Sequence, residues 1–403
     1  MTTPTVLPQP TNAQDRRAEV SPKIRILTVV RFPLGGIRTY LKYTYTQLDP
    51  LKYRFTIAAV ACHEPPLTSH DLAGLEVDRF ESEEAHGNRG LLRTTREALR
   101  HSRVDLIHSQ GLTSGLIALL AGWRARIPHV ITHHDVFRHD QFQGAKGWLR
   151  RRLMTILMPR AHLIICVTED ARQNFLEYFP SFPAAKLRVV PNGIDTAPYA
   201  EIAARRRLRT ADFRSPNTPF RFGFLGRFMP QKGLDILIRA VAELARQRYT
   251  PQSFRILALN RGDCIGRYKA QIAREGLEPF FEFLGFRTAV ADLLGELDCM
   301  VMPSRWEAAG LVAMEALVAG CPVIASDCLG LREVLRDTPA LVARAEDPQT
   351  LARQMKTAMD HEAELRPVFC GFASVAQERF DVRRTAELMK GIFTELLRSS
   401  PDE

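Results

Sequence analysis

The feature that most narrows the folds open to this chain is an alternation that runs along it twice. Short β-like runs, each ending in a polar or glycine turn, are followed by stretches with helical periodicity. In the first half the strands read as 23–32, 54–61, 104–111, 129–135, 162–169 and 187–195. A basic, polar stretch follows, AARRRLRTADFRSPNTP, and the pattern restarts with strands at 220–227, 254–260, 280–285, 298–304 and 321–327. Between the first two of these, Leu234, Leu237, Ile238, Val241 and Leu244 fall on one helical face. Strands alternating with helices imply parallel, doubly wound sheets, so the expectation is an α/β chain of two Rossmann-like domains. The boundary is placed near 195–215, which gives a tail over 1–22, a first domain over 23–200, a second over 201–375 and a terminal helical stretch over 376–403.

A length of 403 residues fits two cores better than one. The longest apolar runs, such as LIALLAG at 116–122, are far shorter than a membrane span. The N-terminal tail lacks the apolar centre of a signal peptide. Seven scattered cysteines show no metal-site spacing and read as buried thiols of a reducing cytoplasm. A formal charge of +10 favours anionic partners: nucleotide phosphates, an anionic membrane surface or nucleic acid. No zinc finger, aromatic RNA-binding motif or basic zipper is present, so nucleic acid is set aside.

In open parallel sheets, ligands sit at the carboxyl ends of the strands, often against helix N-termini. Three strand-end loops stand out. GRFMPQKG (Gly226–Gly233) sets Arg227 and Lys232 beside a helix start, where an Arg fork and a Lys point charge suit a diphosphate. The same loop also reads as a plain strand–helix turn with two solvated basic residues. In the first half, Gly35 and Gly36 let backbone approach a ligand. His133 and His134 close a strand and point to opposite sides, one toward a cleft and one into protein. His108 closes another strand. Each histidine is equally readable as a structural group. No metal is implied by spacing.

The third loop is in SRWEAAGLVAMEALVAGCPVIAS, where an apolar helix over 310–319 carries Glu315 in its middle and Glu307 just ahead of its start. Free N–H groups at the helix start, Gly310–Leu311, suit phosphate. Glu315 lies five residues further on, ~7–8 Å along the axis, about the separation of a ribose from its pyrophosphate. The alternative is a buried carboxylate paired with an Arg or Lys, since an unpaired buried charge is costly.

Taken together and in order, the E-x(7)-E of EAAGLVAMEAL, GRFMPQKG, VVPNGID, PVIASDCLGLREVL, PLGGIRTYL and ITHHD resemble the GT-B, retaining, nucleotide-sugar-dependent glycosyltransferases of the family 4 or "group 1" type, over about residues 23–390. The resemblance implies two Rossmann-like domains facing across a cleft, donor mainly on the second, acceptor mainly on the first, and a terminal helix crossing back. It implies that Glu315 holds the ribose and Glu307 contacts the donor sugar. Gly310, Leu311 and Val312 present amides to the diphosphate, and Arg227 and Lys232, after Gly226, neutralise it as it leaves. Gly285 and Phe286 sit against the base, His134 near sugar and acceptor, and Gly36 near the phosphates. The implied reaction moves a sugar from a UDP- or GDP-sugar to a sugar, glycolipid or other hydroxyl acceptor in polysaccharide or glycoconjugate synthesis. The donor is a co-substrate, and neither a further cofactor nor a metal is expected.

The chain departs from the family's usual sequences in three places. Glu307-Ala308-Ala309-Gly310 lacks the frequent aromatic residue, His108-Ser109-Gln110 replaces a frequent His-x-His, and Asn260-Arg261-Gly262-Asp263 replaces a Gly-rich turn. A nucleotide-sugar epimerase of the same architecture, or a non-catalytic partner subunit, remains an alternative; retention of Lys232 and Glu315 argues against the latter. Finally, GWLRRRLMTILMPRAH (147–162) mixes Trp148, Leu149, Leu153, Ile156 and Leu157 with Arg150, Arg151 and Arg152. It reads as an ordinary helix with solvated arginines or as a segment lying on the inner face of an anionic membrane.

Overall fold

The computed structural model describes residues 23–62, 67, 70–208, 218–259, 262, 264–285 and 290–399. The expected tail at 1–22 and Phe286 lie outside them. The first domain holds β1 (Ile24–Val30), α1 (Gly35–Tyr45), β2 (Tyr53–Val60), β3 (Val77–Ser82), α2 (Gly87–His101), β4 (Leu106–Gln110), α3 (Leu112–Ala121), β5 (His129–His133), α4 (Gly144–Leu157), β6 (Leu163–Cys166), α5 (Glu169–Tyr178) and β7 (Leu187–Val189). Its seven strands form a parallel sheet in the order β3-β2-β1-β4-β5-β6-β7. After α6 (Ala197–Leu208), the second domain runs β8 (Phe220–Leu225), α7 (Leu234–Arg246), β9 (Phe254–Leu259), α8 (Ile265–Arg274), β10 (Phe281–Gly285), α9 (Val290–Glu296), β11 (Cys299–Met302), α10 (Leu311–Val318), β12 (Val323–Ser326), α11 (Leu331–Leu335), β13 (Leu341–Ala343), α12 (Pro348–Asp360) and α13 (Glu362–Arg379). Its six parallel strands are ordered β10-β9-β8-β11-β12-β13.

Central strands such as β4, β5, β11 and β12 are buried at every position, the signature of sheets covered by helices on both faces. Strand order reverses between β1 and β4 in one sheet and between β8 and β11 in the other. A crevice opens at the carboxyl ends of strands at such a reversal. The loops after β1, β8 and β11 carry Gly35–Gly36, Arg227–Lys232 and Ser304–Gly310, so the topology sends three of the sequence-selected loops to the same kind of place.

Two boundaries differ from expectation. The division expected at 200/201 falls inside α6. That helix packs on α9, α10 and α13 and belongs to the second domain; Tyr199 and Ile202 are buried in its core. The terminal helix starts at Val382 rather than 376: α13 stays on α10, and only α14 (Val382–Arg398) crosses back to pack on α1. Met389, Ile392 and Phe393 of α14 complete the first core, and Arg188 on β7 donates to both carboxylate oxygens of Glu395 at 2.6 and 2.5 Å. Where the chain passes between domains, its two crossings pair. Ile194 N–H donates to Phe380 O at 2.8 Å, and Val382 N–H donates to Ile194 O at 3.0 Å.

Candidate active site

The loop after β11 is shaped by what its backbone can do. Gly310 caps α10 at φ +70°, a conformation that favours glycine, and turns the chain so that Leu311 and Val312 open the helix half-exposed. Gly233, which ends the loop after β8, also has positive φ (+70°), and a Cβ there would lie 1.9 Å from Pro303 O. The two loops can therefore lie in contact only because this position has no side chain. Arg305 fixes their register, donating to both oxygens of Asp235 (2.9 and 2.6 Å) at the start of α7 and to Pro230 O (2.6 Å).

This contact brings together two predicted residues 75 positions apart: Lys232 Nζ donates to Glu307 Oε1 at 2.5 Å. Glu307 is 5% exposed and also accepts from Ser304 Oγ at 2.8 Å. The pair sits directly ahead of the α10 N-terminus. Arg227, half-buried, has no ion-pair partner among the described residues. It lies against Gly35 of the first domain, where a Cβ would meet Arg227 Cδ at 3.7 Å. Space opens beyond Gly36. Gly226 begins the same loop, beside the Lys232 side chain.

Glu315 is 4% exposed. Its neighbours are neither Arg nor Lys. Tyr43 of α1 donates to Oε1 at 3.2 Å, and Tyr43 and Tyr199 share a hydrogen bond at 3.2 Å. Burial pushes the Glu315 carboxyl up to about 7, against the opposing effect of hydrogen bonds from Tyr199 and Tyr43. Burial and the Glu315 charge both raise the two tyrosines, which stay protonated donors. The carboxylate that sequence pairs with a ribose is thus held at the domain interface by two hydroxyl groups.

On the first-domain side, His133 and His134 do point opposite ways. His133 stacks on Phe137 at 5.0 Å inside the core. His134 packs edge-on to Tyr40 at 4.6 Å and hydrogen-bonds Gln110 Oε1 through Nε2 at 2.8 Å. Gln110 in turn donates through Nε2 to His108 Nε2 at 3.1 Å, and His108 Nδ1 pairs with the Tyr45 hydroxyl at 2.9 Å. Burial lowers His134 and His108 to about 3, so both rings are neutral at physiological pH. His108 is structural, the inner anchor that orients Gln110 and hence His134. Asp135, next to His134, feels the charges of Arg138, Glu307 and Lys232, and desolvation raises its carboxyl.

Sequence reasoning did not single out Tyr43, Tyr199, Gln110 or Asp135. Asp135 stood in the quoted ITHHD, and Gln110 in the departure from His-x-His; the tyrosines gave no signal, because their contact with Glu315 spans 272 and 116 positions. Gly285 ends the edge strand β10 at φ +71°, and no described contact links it to the Lys232–Glu307 pair.

The domains touch around this centre. Arg138 stacks over Trp306 at 3.9 Å. Thr168 Oγ1 donates to Ala308 O at 2.9 Å. Arg332 grips both oxygens of Asp170 at 2.8 Å each, while Glu333 accepts from the Glu169 and Asp170 N–H groups that open α5.

Residues 34–198 match the Glycosyltransferase Family 4 domain, and residues 219–361 match Glycosyl transferases group 1. The chain belongs to the GT-B glycosyltransferases of the family 4 type. This glycosyltransferase is 28% identical over 344 residues to a D-inositol 3-phosphate glycosyltransferase of Jonesia denitrificans, covering 81% of its own length and 80% of that protein. It is 29% identical over 281 residues to the 2-deoxystreptamine glucosyltransferase of Streptomyces kanamyceticus, covering 64% and 69%. Its fold superposes on Anabaena Alr3699/HepE in complex with UDP-glucose with a TM-score of 0.75 at 22% identity, over 92% of this chain and 100% of that one.

Proposed function

We propose that this glycosyltransferase moves a sugar from a nucleoside-diphosphate sugar, UDP- or GDP-linked, to a hydroxyl acceptor with retention of configuration and without a metal. The observation that carries the reading is the Lys232–Glu307 pair at 2.5 Å, set ahead of the α10 N-terminus with Arg227 unpaired nearby and Glu315 five residues into the helix. That order of groups matches a sugar, a diphosphate and a ribose laid along one line.

Breaking the anomeric bond builds negative charge on the departing diphosphate. Lys232, Arg227 and the Leu311 and Val312 N–H groups face that charge, and preorganised donors of this kind lower the barrier most. Glu307 orients Lys232 and accepts from the donor-sugar hydroxyls as the ring becomes oxocarbenium-like. Glu315 accepts from two ribose hydroxyls, displacing the tyrosine hydroxyls. His134, neutral and directed by Gln110, faces sugar and acceptor from the first domain. Gly285 and Phe286 are assigned to the base. A hydroxyl acceptor is supported by the relatives, named for D-inositol 3-phosphate and 2-deoxystreptamine, and a UDP-sugar by the UDP-glucose complex of the structural neighbour. Polysaccharide, glycolipid or other glycoconjugate synthesis is the setting proposed. Five buried cysteines and two half-buried ones, none of them in a disulfide among the described residues, fit a reducing cytoplasm.

The test is a panel of nucleotide sugars screened by thermal shift, then assayed with and without acceptor. One donor should stabilise the protein selectively, and nucleoside diphosphate should accumulate with glycosylated acceptor. Interconversion of donor sugars without acceptor would establish the epimerase reading in its place; no stabilisation by any donor would remove both.

A further inference from the structure

Twelve large hydrophobic residues are exposed among the described residues, and six of them lie on or just beyond two neighbouring helices of the first domain: Leu120 near the end of α3, Trp123 in the turn after it, and Trp148, Leu149, Leu153 and Ile156 on α4. At about 100° per residue, the α4 positions fall within an arc of roughly 140°. The opposite side of the helix is the attached one. Gly147 and Met154 are buried there, and Arg151 donates through Nε and Nη2 to Tyr178 O at 3.1 and 2.7 Å. Arg160 joins the two helices into one face: its guanidinium stacks on Trp123 at 4.5 Å and donates to Ile156 O at 2.8 Å.

The charge on α4 has one sign. α4 carries Lys146, Arg150, Arg151 and Arg152 and no Asp or Glu. Arg124, Arg126, Arg150 and Arg152 form no ion pair among the described residues; Arg152 instead lies near the Trp148 ring at 5.9 Å. A protein-facing hot spot with this much unpaired positive charge would need an acidic partner of matching shape. An anionic bilayer supplies both halves at once: apolar depth for Trp and Leu, and phosphates at the level where long Arg side chains end.

We propose that the α3–α4 face docks on the surface of an anionic lipid bilayer. The docking is interfacial and not spanning, since no helix among the described residues is long and apolar enough to cross a membrane. The loop that leads into α4 carries Arg138, whose stack on Trp306 borders the Lys232–Glu307 centre, so the docked face and the cleft are joined by one short segment. This surface is independent of which donor or acceptor the enzyme uses.

The experiment is sedimentation of the full-length protein with phosphatidylcholine vesicles, with and without phosphatidylglycerol, at low and high salt. Binding is expected only with phosphatidylglycerol and should weaken in high salt. Trp148→Ala/Leu153→Ala should cut binding by about 100-fold or more, since each buried apolar side chain contributes about tenfold on its own. Arg150→Ser/Arg152→Ser should weaken it and flatten the salt dependence, while Leu388→Ala, an exposed hydrophobic elsewhere, should leave it unchanged. All five residues of the test are exposed, so melting temperatures should stay near wild type. Absence of binding to phosphatidylglycerol vesicles, equal binding to both vesicle types, or unchanged binding by Trp148→Ala/Leu153→Ala overturns the proposal. So does a concentration-dependent dimer, seen by sedimentation velocity, that the same variants abolish.

Discussion

Replacing Glu315 by Gln tests the electrostatics of the interface and the donor assignment together. The carboxyl is 4% exposed, and burial moves it from its ordinary 4.5 to about 7. A proton is therefore held more tightly by the folded chain than by the unfolded one. Below the unfolded value both states are protonated and the side chain carries no charge penalty. As pH rises through the folded value, the stability tied to that proton is lost, and above it the ionised carboxylate stays buried. The shift corresponds to about 3 kcal/mol over the whole window, of which about 2 kcal/mol falls between about pH 5.5 and about pH 8.5. Gln cannot titrate, so the stability of Glu315→Gln relative to wild type should improve by about 2 kcal/mol across that range. Urea unfolding of both proteins at a series of pH values measures this. Donor binding should show the opposite face of the same titration: ribose hydroxyls donate best to the ionised form, so wild-type affinity should rise with pH through about 7 and the variant's should not. Its apparent donor constant should also rise more than its turnover falls, because ribose contacts are alike in ground and transition states. An equal stability difference between the two proteins at every pH would show that Glu315 does not titrate in this range.

Three other outcomes follow from the structure. Activity should survive chelation, because Arg227 and Lys232 supply the positive charge; complete loss restored by added metal would contradict this. Gln110→Ala frees His134 from the bond at 2.8 Å that directs it, and should lower turnover by roughly 10-fold or more with little change in donor affinity; unchanged turnover in steady-state kinetics removes His134 from the site. Asp170→Ala strips Arg332 and the Gly330 N–H of their shared partner between domains and should destabilise the fold by about 1–3 kcal/mol, read as a lower melting temperature; an equal melt would show that contact to be inert.

The alternation of strands and helices was legible because both sheets are covered on both faces, which buries their central strands at every position and makes β11 an unbroken apolar run. Two strands escaped it. β3 (VDRFES) is a half-exposed edge strand with three charged residues in six, and β13 is three residues long. The roles of Lys232 and Glu307 as a pair were not legible, only their separate loops, since Gly233 and the topology of β8 and β11 set their approach. The domain to which α6 belongs was hidden for the same reason: its residues show that it buries a face, but not against which sheet. Arg151 shows how far sequence carries a surface reading, since it stands in a run of three arginines and yet one of them is fixed to a backbone carbonyl.

In the proposed reaction the sugar–phosphate bond breaks beside Lys232, where charge grows on the departing diphosphate. Turnover of Lys232→Ala at saturating donor measures it most directly, with thermal melting to confirm the fold and Arg227→Ala as a second variant that leaves Glu307 paired. A fall in kcat of about 10²–10³-fold is expected for either change. Near-normal turnover in a folded Lys232→Ala protein would contradict it.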